Sequence, residues 1–164
     1  MELHATFRGR FAPTPSGKMH IGNALTALLG WLQIRSMDGQ YILRIEDIDV
    51  QRSRQELAVE IMRDLEWLGL DWDEGPGLAG AYGPYHQAAR QALYEREITK
   101  LKEANKLYPC YCSRADITAA ASAPHGIASE GLRYPGTCRD LSREEAALRA
   151  LHKKPSLRMK VPQT

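Results

Sequence analysis

The sequence lacks the features of a membrane protein, of a secreted protein and of a protein that binds nucleic acid through bulk charge. It has no run of about eighteen apolar residues, so we expect no membrane span. Residues 1–4 do not combine a basic segment with an apolar one, so we predict no signal peptide and a cytoplasmic location. The 22 basic residues barely exceed the 20 acidic ones. We therefore expect any contact with RNA to use a shaped site.

Cysteine is also scarce. The three cysteines are an odd number, and one residue separates Cys110 from Cys112. This pattern fits a disulfide framework badly and favours metal binding or free thiols. No internal repeat is visible. With 164 residues, of which 43% are hydrophobic, the chain is long enough for a folded body with its own core.

The first part of the chain has the pattern of a βαβ unit. Residues 6–12 are typical of a strand, and the turn formers at 13–17 predict a tight loop. Apolar residues at helical spacing predict a helix over 21–37. A second strand is expected at 41–45, and it ends in a cluster of carboxylates. Such units have parallel strands and bind ligands beyond the carboxyl ends of those strands, so the loop and the carboxylates should share one edge.

Two further helices are predicted downstream. The first covers residues 54–68 and stops at Gly69. Its apolar positions are Leu57, Ile61, Leu65 and Leu68. The second covers residues 85–105, and the segment before it, 71–84, has the glycine and proline content of a surface loop. Residues 113–131 show no clear periodicity, so no helix or strand is predicted there.

The junction of the loop and the first helix has the chemistry of a phosphate site. A helix N-terminus presents unpaired N–H groups and the positive end of the helix dipole. Gly22 lets a ligand approach the backbone, and His20 and Asn23 offer hydrogen-bond donors. For these residues alone, helix capping by His20 and close packing at Gly22 are the alternative. The acidic strand end has a similar alternative, a solvated turn that caps a helix.

Longer motifs surround both features. Residues 10–17 are Arg-Phe-Ala-Pro-Thr-Pro-Ser-Gly, residues 20–23 are His-Ile-Gly-Asn, and residues 44–47 are Arg-Ile-Glu-Asp. These segments resemble signature motifs of the class I aminoacyl-tRNA synthetases, in the form specific to the glutamyl group. Asn23 replaces the second histidine of the family's signature, a variation that the glutamyl group tolerates. The resemblance implies an α/β fold, the first half of a Rossmann-like nucleotide-binding domain with a small zinc-binding insertion.

The resemblance implies glutamate and ATP as substrates. The residues that it assigns to glutamate are Arg10, Phe11, Ala12, Pro13, Thr14 and Glu46. Arg10 would pair with the side-chain carboxylate of glutamate, and Glu46 with its ammonium group. ATP would lie over His20, Gly22 and Asn23, with His20 and Asn23 in the catalytic role. Attack of the glutamate α-carboxylate on the α-phosphate would give glutamyl-adenylate, with magnesium assisting and with positioning as the main source of rate.

Three thiols in a reducing compartment favour zinc, which needs a fourth ligand to complete a tetrahedron. His125 is the ordinary choice on chemical grounds. Tyr134 is the choice that the resemblance implies, because the Tyr-Pro-Gly-Thr-Cys segment that it begins is similar to the Tyr-x-x-x-Cys half of a zinc site in glutamyl-queuosine tRNA(Asp) synthetases. The expected ligand set is Cys110, Cys112, Tyr134 and Cys138. His125 stays the alternative, and the long gap between the two halves predicts an inserted loop at 113–133.

Two groups of the family compete. Ordinary glutamyl-tRNA synthetases charge the 3′ end of tRNA, whereas the glutamyl-queuosine enzymes activate glutamate without tRNA and attach it to queuosine at the wobble position of tRNA(Asp). Ile48, where the ordinary enzyme commonly has Thr, and the run that ends at Arg139 favour the queuosine group. The segments 70–77 and 82–85 are similar to the ordinary enzyme. The expected function is glutamylation of queuosine by a monomer, with charging of the tRNA 3′ end as the alternative.

The resemblance also predicts that the chain holds only part of such an enzyme. The family's second ATP signature, a mobile Lys-Met-Ser-Lys-Ser loop, has no counterpart, and residues 158–160 lack its serine and are more typical of a strand. We expect residues 1–106 to form the first half of the catalytic domain, 107–140 a zinc-binding segment and 141–164 the start of a connective insertion. This extent of chain should then show little pyrophosphate exchange. A noncatalytic, zinc-containing RNA-binding remnant is the second alternative.

Overall fold

The chain divides into two units, each with its own core. The fold is seen in a computed structural model, and the described residues are 7–78, 80–121, 134 and 136–161. The units are Met1–Tyr94 and Glu95–Thr164, and each contains a separate cluster of buried apolar side chains. Among the described residues, no helix is both long enough and apolar enough to cross a membrane. The three-segment division of the chain made from the sequence stays a prediction.

The first unit contains the predicted βαβ arrangement. Its elements are β1 (Arg8–Phe11), α1 (Ile21–Arg35), β2 (Gln40–Leu43) and α2 (Gln55–Trp67). β1 and β2 are parallel, and Phe11 lies opposite Leu43. The carboxyl ends of both strands therefore meet at one edge. Two backbone hydrogen bonds extend the contact past the strands: Arg44 N–H donates to Phe11 O, and Glu46 N–H donates to Pro13 O.

The loop after β1 is anchored in the core rather than free on the surface. Pro15 is among the fully buried side chains of the chain. Its carbonyl accepts a hydrogen bond of 3.0 Å from Arg54 N–H, just before α2. A buried ring and a bonded carbonyl together restrict the loop on both sides of Pro15. This anchoring positions the segment on which the predicted substrate residues lie.

Helix α1 begins at Ile21 as predicted and ends at Arg35, two residues before the predicted end. Ser36 caps it, and Asp38 then adopts a positive φ of 50°. Only Ala27 and Ile34 of the helix are buried. The apolar spacing that predicted the helix includes four leucines that are 40% to 58% exposed, namely Leu25, Leu28, Leu29 and Leu32. Within the described residues, α1 packs only its narrow Ala27–Ile34 side on the two strands.

The later helices depart from prediction at particular positions. In α2, Ala58 is buried and Leu68 is 40% exposed, which reverses the expectation for Leu68. Gly69 has a φ of +74° and ends the helix as expected. The prediction that a helix starts at residue 85 is wrong: Ile45 N–H donates to Tyr85 O and Gln87 N–H donates to Ile45 O. This pairing keeps the segment extended, and the helix follows as a 3₁₀ turn, Ala88–Arg90, and α3, Gln91–Glu103.

The second unit pairs two short strands antiparallel. They are β3 (Leu107–Cys110) and β4 (Ser156–Met159), and the latter confirms the strand expected at 158–160. Two helices, α4 (Arg114–Ala121) and α5 (Arg143–Ala150), lie between them. α4 corrects the expectation of no regular element after residue 113. Each helix follows a serine whose side chain accepts from an N–H three residues later, a capping signal visible in the sequence.

Candidate active site and candidate metal centre

A cleft of about 560 Å³ opens at the carboxyl end of β1. The predicted substrate residues that line it are Arg10, Phe11, Ala12, Pro13, Thr14, His20 and Asn23. Gly22 and Glu46 are not among its lining residues. Gly22 lies between the lining residues His20 and Asn23, and Glu46 N–H bonds to the lining residue Pro13. The lining also includes Lys18, Thr26 and Ile61, which sequence reasoning missed. Thr26 follows Gly22 by one helical turn, a spacing that points to the same end of α1.

The N-terminus of α1 is closed by a reciprocal cap. His20 has an extended backbone, and its Nδ1 accepts a hydrogen bond of 3.1 Å from Gly22 N–H. In return, Asn23 Oδ1 accepts from His20 N–H at 3.3 Å. A Cβ on Gly22 would lie 3.0 Å from His20 Cε1, so a larger residue here would require the ring to shift. Capping by His20, the alternative considered from the sequence, is therefore present, and it fixes the orientation of two polar side chains at the positive end of a helix.

The acidic strand end is held against the cleft loop by its backbone. Glu46 is half-buried, and its N–H donates to Pro13 O at 2.9 Å. Asp47 accepts from Ala88 N–H at 2.8 Å and lies 2.9 Å from His86 Nδ1. Burial opposes ionisation of Asp47, but these two hydrogen bonds lower its pKa below the ordinary value. Asp47 thus tethers the strand end that carries Glu46 to the segment before α3.

A second carboxylate, Glu74, is buried in the first unit and had no local sequence signal. Its Oε1 lies 2.7 Å from Arg8 Nη1, and its Oε2 accepts a short hydrogen bond from the Tyr85 hydroxyl. The hydrogen bonds from Arg8 and Tyr85 lower the pKa of Glu74. The Arg8 guanidinium also lies over the Tyr82 ring, 4.7 Å from its centroid. Because Leu43 N–H donates to Glu74 O, this network ties the loop after α2 to both strands.

The second unit gathers the predicted metal ligands. The sulfur atoms of Cys110, Cys112 and Cys138 all lie within 4.8 Å of one another. The Tyr134 hydroxyl oxygen is 3.2 Å from Cys110 Sγ and 3.8 Å from Cys112 Sγ. It also accepts a hydrogen bond of 3.1 Å from Cys138 N–H. His125, the alternative fourth ligand, lies outside the described residues.

These four donors fit a tetrahedral zinc ion. A Zn–S bond of about 2.3 Å implies sulfur–sulfur separations of about 3.8 Å, and Cys112 Sγ lies 3.7 Å from Cys138 Sγ. With a Zn–O bond of about 2.0 Å, the oxygen should lie about 3.5 Å from each sulfur, and the two Tyr134 distances fall on either side of that value. Burial opposes ionisation of Cys110, yet the Tyr134 hydrogen bond helps to lower its pKa to about 7.

Comparisons with known proteins identify the family of the chain. The family model for tRNA synthetases class I (E and Q), catalytic domain, matches residues 6–164. Glutamyl-Q tRNA(Asp) synthetase from Symbiobacterium thermophilum is 59% identical over 155 residues, which are 94% of this chain and 48% of that protein. The glutamate–tRNA ligase of the same organism is 46% identical over 158 residues, which are 96% of this chain and 33% of that protein.

Solved structures give the same fold. The crystal structure of glutamate-tRNA synthetase from Elizabethkingia anophelis matches with a TM-score of 0.77 at 31% identity, over 97% of this chain and 34% of that chain. The chain spans about half the length of the Glutamyl-Q relative that it matches, 48%. The fold expected from the sequence, that of a class I synthetase, is thereby confirmed. The chain belongs to the family of class I tRNA synthetases (E and Q), within the catalytic domain.

Proposed function

We propose that this chain supplies the glutamate- and ATP-binding part of an enzyme that activates glutamate and transfers it to queuosine in tRNA(Asp). The observation that carries the proposal is a comparison within one organism. The chain is 59% identical to the Glutamyl-Q tRNA(Asp) synthetase of Symbiobacterium thermophilum and 46% identical to its glutamate–tRNA ligase. Tyr134, inside the thiol cluster, supports the same choice through its resemblance to the zinc site of the queuosine group.

In the proposed mechanism, glutamate binds in the cleft at the end of β1. The Arg10 guanidinium pairs with its side-chain carboxylate through two parallel hydrogen bonds. Glu46, held beside Pro13 by its backbone, accepts from the ammonium group. The loop residues Phe11, Ala12, Pro13 and Thr14 complete the pocket. This arrangement directs the α-carboxylate toward the N-terminus of α1.

ATP binds over the first turn of α1, and its α-phosphate faces His20 and Asn23. At Gly22, which has no side chain, ATP comes close to the protein backbone. A carboxylate oxygen of glutamate attacks the α-phosphorus, and the bond to the bridging oxygen breaks, so that pyrophosphate leaves. The cap orients His20 and Asn23 before the substrate arrives, so that little reorganisation accompanies the development of charge. Magnesium bound to ATP would neutralise part of the phosphate charge.

We further propose that Cys110, Cys112, Tyr134 and Cys138 bind zinc. The substitution Tyr134→Phe removes one donor and should abolish most bound zinc, whereas His125→Ala should leave the metal content unchanged. Elemental analysis of both purified variants, beside the unaltered chain, measures the result. Zinc retained by Tyr134→Phe and lost by His125→Ala would make His125 the fourth ligand instead.

The activity is tested in the enzyme that contains this sequence together with the remaining length of its relatives. We expect glutamate-dependent exchange of pyrophosphate into ATP without tRNA, and transfer of labelled glutamate to tRNA(Asp) that carries queuosine. The informative substrate is tRNA(Asp) from which the 3′-terminal adenosine has been removed, because the wobble position is still present. Transfer that stops with this substrate indicates an ordinary glutamate–tRNA ligase, and absence of exchange indicates a noncatalytic protein.

The glutamate site is tested by Arg10→Lys, which keeps the charge but loses the planar fork. We expect KM for glutamate to rise by at least tenfold, because about one charge-assisted hydrogen bond is lost. KM for ATP should be nearly unchanged. Arg63→Lys, at an exposed position of α2, is the matched control. Equal KM values for glutamate in both variants would remove Arg10 from the site.

A further inference from the structure

Arg158 lies against the proposed metal centre, in a segment that lacks the serine of the family's second ATP signature. It is half-buried on β4, and its guanidinium carbon is 3.8 Å from the centroid of the Tyr134 ring. At this distance the planar guanidinium stacks on the ring face. In the β3–β4 pair, Arg158 is opposite Tyr108. Cys110 is two residues further along β3, so its side chain points to the same face as that of Tyr108.

The register of the β3–β4 pair thus places Arg158, Tyr108 and Cys110 on one face of the two strands. The Nε of Arg158 is buried and has no hydrogen-bond partner among the described residues. A buried cation with an orphaned donor is costly unless negative charge lies beside it. Arg149, on α5, contributes a second guanidinium, and its Nη1 donates to Cys138 Sγ at 3.8 Å.

We propose that Arg158 and Arg149 form a cationic outer layer around the metal centre and that Arg158 is the positioning residue that holds Tyr134 in its ligand orientation. This inference rests on the zinc site proposed above. Three thiolates and one tyrosinate carry four negative charges against two on zinc. The guanidinium of Arg158, over the Tyr134 ring, and that of Arg149, beside Cys138 Sγ, supply two positive charges that balance the remaining two negative charges. Cys138 N–H, which donates to the Tyr134 oxygen, adds to the same effect.

The two arginines are not equivalent in this arrangement. Arg158 is half-buried and stacks on the tyrosine ring, whereas Arg149 is exposed and contacts one sulfur through a long hydrogen bond. Outer partners of metal ligands contribute about 10- to 100-fold to metal affinity. We therefore expect the larger contribution from Arg158. A lysine in its place would keep the charge but lose the planar stack on Tyr134.

The test measures the zinc dissociation constant of the full chain by competition with a chromogenic chelator. Arg158→Met should weaken zinc binding by about 10- to 100-fold, Arg158→Lys by less, and Arg149→Met least of the three. Arg143→Met, the same change at an exposed position in the first turn of α5, is the matched control and should leave affinity unchanged. Circular dichroism checks the fold of each variant, and if Arg158→Met does not fold, Arg158→Lys decides.

A spectroscopic readout separates positioning from general stability. Zinc added to the unaltered chain should produce the ultraviolet difference spectrum of a tyrosinate, and Arg158→Met should reduce that signal relative to the zinc bound. In a Tyr134→Phe background, Arg158→Met should cost less affinity than it does alone. If the unaltered chain binds no zinc, the metal site itself is refuted. If it binds zinc and the folded Arg158 variants bind equally tightly, only the role of Arg158 is overturned.

Discussion

Two glycines of α1 provide a matched test of the cap that orients the candidate active site. Gly30 is in the helix interior, and a Cβ there would lie 3.4 Å from the Tyr41 hydroxyl oxygen, an ordinary contact. Gly30→Ala should therefore stabilise the first unit by about 0.5–1 kcal/mol through helix propensity. Gly22→Ala adds the same methyl group, but its Cβ would lie 3.0 Å from His20 Cε1 and must displace the ring.

A shift of the ring away from the new methyl group weakens the hydrogen bond from Gly22 N–H to His20 Nδ1. Loss of an N-cap costs about 1 kcal/mol, which outweighs the small gain in propensity in the first turn. Gly22→Ala should thus destabilise the unit slightly, and the two variants should differ by about 1–2 kcal/mol in unfolding free energy. In the longer enzyme, only Gly22→Ala should raise KM for ATP.

Urea denaturation followed by tryptophan fluorescence measures these differences in the relevant unit. The three tryptophans of the chain, Trp31, Trp67 and Trp72, all lie in the first unit. Their signal therefore reports its unfolding and not that of the second unit. If Gly22→Ala stabilises the unit as much as Gly30→Ala does, the cap makes no contribution and the proposed orientation of His20 is wrong.

Further predictions concern the same unit and use the same fluorescence assay. The pKa of Glu74 is below its ordinary value near 4.5, so its contribution to stability is complete above that value and is lost as the pH falls through the folded-state pKa. Glu74→Gln should lower the unfolding free energy at neutral pH and make it depend less on pH in the acid range. The exposed control Glu66→Gln should do neither, and an unchanged acid dependence in Glu74→Gln would contradict this. Gly69→Ala should cost about 1 kcal/mol, because φ is +74° and the surrounding space is open. Gly17→Ala, with open space and no positive φ, should leave stability unchanged. If alanine costs the same at Gly17 and Gly69, backbone strain at Gly69 is not the cause.

The parts of the fold that sequence predicts well are those with local causes. The βαβ unit follows from a run of turn formers between two periodic segments, and Gly69 marks a helix end because its own backbone needs a positive φ. The start of the third helix was missed because Tyr85 and Gln87 bond to Ile45, about forty residues away. No local pattern records such a pairing. α4 and α5 lack a broad apolar stripe, so the only local sequence signal of either helix is the capping serine before it.

The candidate site divides in the same way. A sequence motif finds the residues of the cleft loop because they are consecutive in the sequence. Ile61 lines the cleft from α2, and nothing in the sequence distinguishes it from a core residue of that helix. The Arg8–Glu74 ion pair likewise joins two segments that only the folded chain brings together. Tyr134 was found by resemblance, and its hydroxyl among three thiols gives that resemblance a geometric basis.

The division of the chain after Tyr94 has a consequence for synthesis on the ribosome. Both strands, both helices and the cleft of the first unit are complete once that residue has left the exit tunnel. The second unit needs β4, which ends at Met159, about 65 residues later, a delay of roughly 3–13 s at an elongation rate of about 5–20 residues per second. During that interval Cys110, Cys112 and Cys138 all emerge before β3 can pair with β4. Completion of the second unit is therefore an event separate in time from the folding of the first.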